Sequence, residues 1–171
     1  RLGRPPVLAL TATATAEVRD DIVRQLGMRE PHVTITGFAR PNLRFEVERT
    51  VNDTMKDEAL RKLLDRTEGA GVIYVATIKE AERIHEQLKD RYWRKHEFGL
   101  YHGKLPPAER KLAQDRFMND ELKAMIATNA FGLGIDKQEI RFVAHYHFPG
   151  SIEAYYQEAG RAGRDGLPST C

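Results

Sequence analysis

From residue 70 onward the chain alternates short apolar runs with amphipathic stretches, and this regularity constrains the fold more than any other feature. The apolar runs are predicted strands at 72–75, 98–101, 124–127 and 142–146. The amphipathic stretches are predicted helices at 78–91, 106–117 and 152–159. Short apolar strands separated by helices indicate an α/β fold, in which helices cover both faces of a parallel sheet. Ligands of such sheets bind at the carboxyl ends of the strands, so we expect the functional residues in the loops that follow them.

The first 70 residues are less regular and contain a predicted linker. A buried strand is predicted at 7–10, a helix from an N-cap at Thr15 to about Leu26, and a second strand at 33–36. Pro41 keeps Arg40 out of helical geometry, which favours a linker at 37–42. The period-two pattern of residues 43–48 then predicts an edge strand, followed by a helix that carries Leu60, Leu63 and Leu64.

Composition excludes several classes of protein. The chain has 171 residues, a net charge of +2 and a sequence pI near 8.7, values that neither require nor exclude nucleic acid as a partner. Its only cysteine is Cys171, so it forms no internal disulfide and no Cys-rich zinc site, and we expect a reducing, cytoplasmic setting. No apolar run approaches the length of a membrane span, and the first residues lack the apolar core of a signal peptide. Because the sequence starts without Met, we expect a fragment of a longer protein. Because it lacks a long apolar run, we expect no membrane partner.

The segment 157–166 contains Arg161 and Arg164 among three glycines, directly after the last predicted helix. Arginine suits forked contacts with phosphate oxygens, and glycine lets the backbone approach closely. We therefore interpret the two arginines as residues that stabilise charge on a transferred phosphoryl group. The alternative is a solvated basic turn at a helix end. No G-x-x-x-x-G-K-[ST] sequence occurs, so the arginines form half of a site whose phosphate loop is not in this chain.

Two further loops carry candidate ligand-binding residues. In 128–136 the glycines and Thr128 can present backbone amides to a phosphate, and Asp136 can accept a hydrogen bond from a sugar hydroxyl. The alternative for Asp136 is a turn residue that bonds its own backbone. His102 and Gly103 follow another strand, where they can contact a phosphodiester backbone. A surface histidine without a functional role is the alternative there.

Taken in order, these residues resemble the conserved motifs of superfamily-two helicases in their RecQ form. The matching segments are residues 10–14 (motif III), 38–42 (the segment between the motor domains), 71–74 (motif IV), 101–103 with Arg110 (motif IVa), 127–137 (motif V) and 157–166 (motif VI). The resemblance covers nearly the whole chain. It implies a RecA-like sheet of the P-loop NTPase fold, with the end of the first motor domain at 1–36, a linker at 37–42 and the second motor domain at 43–171.

The resemblance also implies a role for each motif residue. Arg161 and Arg164 would reach the γ-phosphate of ATP, and Gln157, Gly134 and Asp136 would help to bind the nucleotide. The residues expected to contact DNA are His102, Gly103, Arg110, Thr128 and Thr77. Thr11 and Thr13 would couple the two sites. ATP and Mg²⁺ would be held mainly by the first RecA-like domain of the same protein.

The function implied is that of a fragment of an ATP-dependent 3′–5′ DNA helicase that translocates on single-stranded DNA and unwinds duplexes and junctions, in DNA repair and recombination. The expected location is the bacterial cytoplasm with its nucleoid, or the nucleus of a eukaryote. Alternatives are an RNA helicase or double-strand translocase of the same superfamily, and a non-catalytic nucleic-acid-binding module. The isolated fragment is expected to hydrolyse no ATP.

Overall fold

A computed structural model of the chain describes residues 5–11, 14–35, 37, 39–93, 95–132 and 135–171. The chain divides into two compact units, Arg1–Ala39 and Arg40–Cys171. The division falls within the predicted linker at 37–42. The assignment of residues 1–36 to a first motor domain stays a prediction.

The described part of the first unit contains one helix, α1 (Ala16–Gln25). The Thr15 hydroxyl accepts a hydrogen bond from the Val18 amide at 3.3 Å, which confirms the predicted N-cap. The predicted strands at 7–10 and 33–36 are wrong for the described residues, because 7–10 and 33–35 are exposed and form no strand. A strand needs a neighbour to satisfy its backbone, and none is present among the described residues of this unit.

The second unit is built on a six-stranded sheet with the order β1-β6-β5-β2-β4-β3. Its strands are β1 (Leu43–Arg44), β2 (Ala70–Tyr74), β3 (Phe98–Tyr101), β4 (Ala124–Ala127), β5 (Ile140–His145) and β6 (Ser169–Thr170). All neighbouring strands run parallel. The helices that connect them are α2 (Asp53–Arg66), α3 (Ile78–Arg91), α4 (Pro107–Met118) and α5 (Ile152–Ala159).

Each face of this sheet has its own hydrophobic core. Successive side chains of a strand point to opposite faces, so Ile73 packs with α2 and α3 whereas Val72 and Tyr74 pack with Phe117 of α4. Every residue of β2 and of β4 is buried. The parallel sheet covered on both faces, predicted from the apolar alternation, is confirmed.

Most predicted elements of the second unit match the structure within two residues. The helices at 78–91 and 152–159 and the strands at 98–101 and 124–127 have the predicted bounds. The predicted edge strand at 43–48 is shortened to β1, although the Glu46 amide still donates to the Cys171 carbonyl at 2.8 Å. Among the described residues, no helix has the length and apolar character that a membrane crossing requires.

Candidate functional site

The sheet order brings the predicted loops to one edge. β2, β4 and β3 are adjacent and parallel, so their carboxyl ends lie side by side. Thr77, Thr128 and His102 each follow one of these ends. The turn after α5, residues 160–166, contacts the loop that follows β4 through its two arginines, and its Gly163 amide donates to the carbonyl of Ile140, the first residue of β5. We call residues 160–166 the arginine turn.

Arg161 is bound to the loop that follows β4. Its Nη1 donates to the Gly132 carbonyl at 2.6 Å. Gly132 has φ of 153°, and a Cβ atom there would overlap the Arg161 guanidinium, so only glycine permits this approach. The Nε of Arg161 is buried and has no hydrogen-bond partner in the described structure. A buried cationic donor without a partner is costly, and an anionic oxygen would satisfy it.

Arg164 contacts the same loop a few residues further on. Its Nη1 donates to the Asp136 Oδ1 at 2.6 Å and to the Ile135 carbonyl at 3.3 Å. Two predicted nucleotide-binding residues therefore meet, with 35% of the Arg164 and 77% of the Asp136 side chain exposed. This pair is accessible to a ligand, and Asp136 also orients Arg164.

Three side chains behind the arginine turn were not predicted to take part in the site. The Tyr74 hydroxyl donates to the Phe131 carbonyl at 3.1 Å, and burial raises the pKa of Tyr74 to about 12 although the nearby charge of Arg161 opposes the rise. His145 stacks on Tyr74 with ring centroids 5.5 Å apart, and its Nε2 lies 2.9 Å from the Glu158 carboxylate. The sequence gives no sign of this cluster, because β2, β5 and α5 are separate in the chain and meet through the folded sheet.

The predicted nucleic-acid residues His102 and Arg110 both contain buried side-chain nitrogens that lack a hydrogen-bond partner in the described structure. His102 is 3% exposed, and neither of its ring nitrogens has a hydrogen-bond partner in the described structure. The nearest carboxylate oxygen, of Glu82, is 3.7 Å from Nε2, which is too long for a hydrogen bond. The Nε of Arg110 is also buried and without a partner among the described residues. Buried polar atoms without partners are uncommon in folded proteins, and hydrogen-bond acceptors of a ligand would satisfy them.

The remaining predicted residues differ in how far the structure describes them. The Thr77 hydroxyl accepts from the Glu80 amide at 3.2 Å, so it caps α3. Thr128 is buried, and its carbonyl accepts from the Phe131 amide at 3.1 Å. Gln157 is exposed on α5, one turn before Arg161, and Thr11 is exposed in the first unit. Thr13 and Gly134 lie outside the described residues.

Metal binding is not evident in the described part of the chain. No group of three His, Cys, Asp or Glu side chains there is placed to hold a metal ion. His145 is the last residue of β5, and His147 lies beyond it. His145 is engaged with Glu158.

Comparison with known proteins decides the family. Residues 55–166 match the helicase conserved C-terminal domain. The chain belongs to that family. It is 53% identical over 169 residues to the ATP-dependent DNA helicase RecQ of Bacillus subtilis, an alignment that covers 98% of this chain and 28% of that protein. It is 42% identical over 173 residues to the mouse bifunctional 3′-5′ exonuclease/ATP-dependent helicase WRN, with 97% of this chain and 12% of that protein covered.

These matches confirm the predicted RecQ-type helicase C-terminal domain and its RecA-like fold. Among solved structures, Saccharomyces cerevisiae Dbp5 bound to RNA and ADP BeF3 superimposes with a TM-score of 0.73 at 26% identity, covering 94% of this chain and 42% of that one. The chain spans about a third or less of the length of these RecQ and WRN relatives.

Proposed function

We propose that this helicase C-terminal domain is the second RecA-like motor domain of an ATP-dependent DNA helicase. The observation that carries the proposal is Arg161, which is fixed on Gly132 with a buried Nε that lacks a partner among the described residues. Arg164 beside it is held by Asp136. Two arginines held in fixed positions match what charge stabilisation in phosphoryl transfer requires.

Within this domain Arg161 and Arg164 would donate hydrogen bonds to oxygens of the γ-phosphate. Gln157, four residues before Arg161, would sense that phosphate, and Asp136 and Gly134 would bind nearer the sugar. ATP, when bound, supplies the phosphoryl group whose transfer to water drives the motor. Mg²⁺ would be held by the first RecA-like domain, at 1–36 and before. Thr11 and Thr13 in that domain would couple hydrolysis to nucleic-acid binding.

The second part of the proposal is a grip on one nucleic-acid strand. His102 and Arg110 supply buried donors, Gly103 leaves open space for a backbone, and Thr128 and Thr77 lie at the two adjacent strand ends. Contacts of this kind go to phosphates, so they position the strand without reading its sequence and weaken with salt. Closure of the two domains on ATP and their reopening after hydrolysis would move this grip along the strand.

DNA is the favoured substrate. The relatives at 53% and 42% identity are named DNA helicase RecQ and helicase WRN, whereas the RNA-bound structure is only 26% identical. We extend the proposal to single-stranded DNA, to unwinding in the 3′–5′ direction and to duplex junctions. The protein would then work at the nucleoid of a bacterium or in a nucleus.

An unwinding assay with the intact protein tests the proposal. Matched DNA and RNA duplexes, each with a single-stranded tail at either the 3′ or the 5′ end, are incubated with the protein and ATP. We expect unwinding of the DNA duplex with a 3′ tail, and hydrolysis that single-stranded DNA stimulates. Preference for the RNA duplex would favour an RNA helicase. Binding to DNA with no hydrolysis would favour the non-catalytic module.

The isolated chain provides a second test. It should bind single-stranded DNA weakly and hydrolyse no ATP, because the phosphate loop and its lysine do not occur in its sequence. Turnover by the purified chain would contradict the division of the site between two domains.

A further inference from the structure

We propose that Arg40 and Asn42 are positioning residues that hold the arginine turn in its active geometry. The proposal rests on the proposed function, because it is through Arg161 and Arg164 that these residues would act. Arg40 is the first residue of the second unit, so that unit begins with a side chain that binds the arginine turn. We call Arg40 and Asn42 together the latch.

The Arg40 guanidinium binds three backbone carbonyls of the arginine turn. Its Nη2 donates to the carbonyls of Ala162 at 3.0 Å and Gly163 at 2.7 Å, and its Nη1 donates to that of Gly160 at 3.3 Å. These carbonyls follow the end of α5, where the helix leaves acceptors without intrahelical donors and where a positive charge is favourable. One planar cation thus fixes the backbone on both sides of Arg161.

Asn42 closes the other side of the turn. Its Nδ2 donates to the Gly163 carbonyl at 2.8 Å and to the Leu167 carbonyl at 3.0 Å, and its own carbonyl accepts from the Ser169 amide at 3.0 Å. The Nε of Arg40 lies 3.4 Å from the Asn42 Oδ1, so the two side chains also support each other. Asn42 therefore holds the backbone before Arg164, at Gly163, and after it, at Leu167.

Neither latch residue points into the site, and each acts through the backbone. The turn between Gly160 and Leu167 is held at four carbonyls by side chains that lie more than a hundred residues earlier in the chain. A catalytic guanidinium must be held close to its productive position before the reaction, since a shift of about 1 Å can cost about a hundredfold in rate. The latch provides that preorganisation.

The test uses Arg40→Ala, Arg40→Lys and Asn42→Ala in the intact protein, with Arg44→Ala as the matched control. Arg44 lies in the same segment, but 80% of its side chain is exposed and its ion pair in the described structure is with Glu46, at 3.0 Å. Hydrogen exchange is measured at the amides of Gly163 and Gly166, which are bonded to the carbonyls of Ile140 and Gly163. The kcat and KM of DNA-stimulated ATP hydrolysis and the affinity for single-stranded DNA are measured in parallel.

For Arg40→Ala we expect exchange at these amides to rise by about tenfold or more and kcat to fall by about tenfold or more. KM and DNA affinity should stay within about twofold, because neither requires the transition-state geometry. Arg40→Lys should restore only part of kcat, since an ammonium is a point charge that cannot span three carbonyls. Arg44→Ala should leave all four quantities unchanged.

Two results would overturn the proposal. One is exchange that stays slow in Arg40→Ala and Asn42→Ala. The other is normal kcat in a variant whose turn exchanges fast. If Arg40→Ala does not fold, Asn42→Ala and Arg40→Lys carry the same comparison. Absence of hydrolysis by the unmodified protein would contradict the proposed function instead, and the exchange measurements would still decide whether the latch holds the turn.

Discussion

The arginine turn and the loop that carries His102 differ in how their polar groups are satisfied, although each leaves at least one buried nitrogen without a hydrogen-bond partner in the described structure. In the arginine turn, Arg40 and Asn42 bind the backbone carbonyls, and Asp165 binds Arg141 at 2.6 Å. In the histidine loop, defined as residues 102–106, both ring nitrogens of His102 are buried without a hydrogen bond within the described structure.

This contrast separates a preorganised site from one that a ligand completes. A turn whose backbone is fixed can present a charge without rearranging during the reaction. Buried donors without partners lower stability until a ligand supplies acceptors, so they gain more from binding than exposed donors do. Under the proposed function, the arginine turn would make the catalytic contact, which needs a fixed geometry, and the histidine loop would supply the grip, which is made and released in each cycle.

The largest expected effect on stability is that of replacing a glycine in the arginine turn. Gly163 has φ of 54°, and a Cβ atom there would lie 2.7 Å from the Leu167 carbonyl oxygen and 2.7 Å from the Ser169 hydroxyl. Gly163→Ala should therefore lower the free energy of unfolding by about 2–4 kcal/mol. Gly103→Ala, in the open space of the histidine loop, should change it by less than about 0.5 kcal/mol. Urea denaturation of both variants makes the comparison, and equal losses would contradict it.

A smaller effect is expected for DNA binding. Arg110→Ala in the intact protein should weaken binding to single-stranded DNA by about tenfold, and should reduce the salt dependence of binding by about one ion. Arg116→Ala on the same helix is the control, because Arg116 is paired with Glu97 and Glu121. Affinity is measured by fluorescence anisotropy at several salt concentrations. An equal effect of the two substitutions would mean that the unpartnered Nε of Arg110 does not mark the binding site.

The smallest effect concerns acid stability. The hydrogen bond from Arg141 lowers the pKa of Asp165, so this carboxylate stabilises the fold above its unfolded pKa of about 4 and the contribution is lost as the pH falls through the lowered value. Asp165→Asn should therefore reduce the difference in stability between pH 7 and pH 3. Arg141→Met should do the same, and the double variant should add little to either single change. Additive losses in thermal melts would show that the pair is not coupled.

The second unit could be predicted from sequence because its strands and helices pack against one another within this chain. The apolar positions Ala81, Ile84 and Leu88 repeat at helical spacing, and all three are buried against the sheet. The same reasoning failed at residues 7–10, where the apolar residues have no partner strand among those described and Leu8 is 81% exposed. A buried strand depends on neighbours that a local pattern does not supply.

The candidate site was only partly visible in the sequence. Motif spacing pointed to Arg161 and Arg164 because arginines among glycines are distinctive in any sequence. Arg40 and Asn42 looked only like parts of a linker, since Pro41 dominates the local signal. Their hydrogen bonds cross more than a hundred residues, and the pairing of β1 with β6 is what brings them to the turn.

The measurement that tests the proposed function most directly is ATP hydrolysis by the intact protein carrying Arg161→Ala, with Arg44→Ala as the control. We predict that the DNA-stimulated rate falls by about a thousandfold or more, because the arginine stabilises charge on the transferred phosphoryl group. Affinity for single-stranded DNA should remain within about twofold of the unmodified protein, since Arg161 bonds Gly132 and not the histidine loop. Near-normal hydrolysis by Arg161→Ala would contradict the assignment of this turn to the nucleotide site.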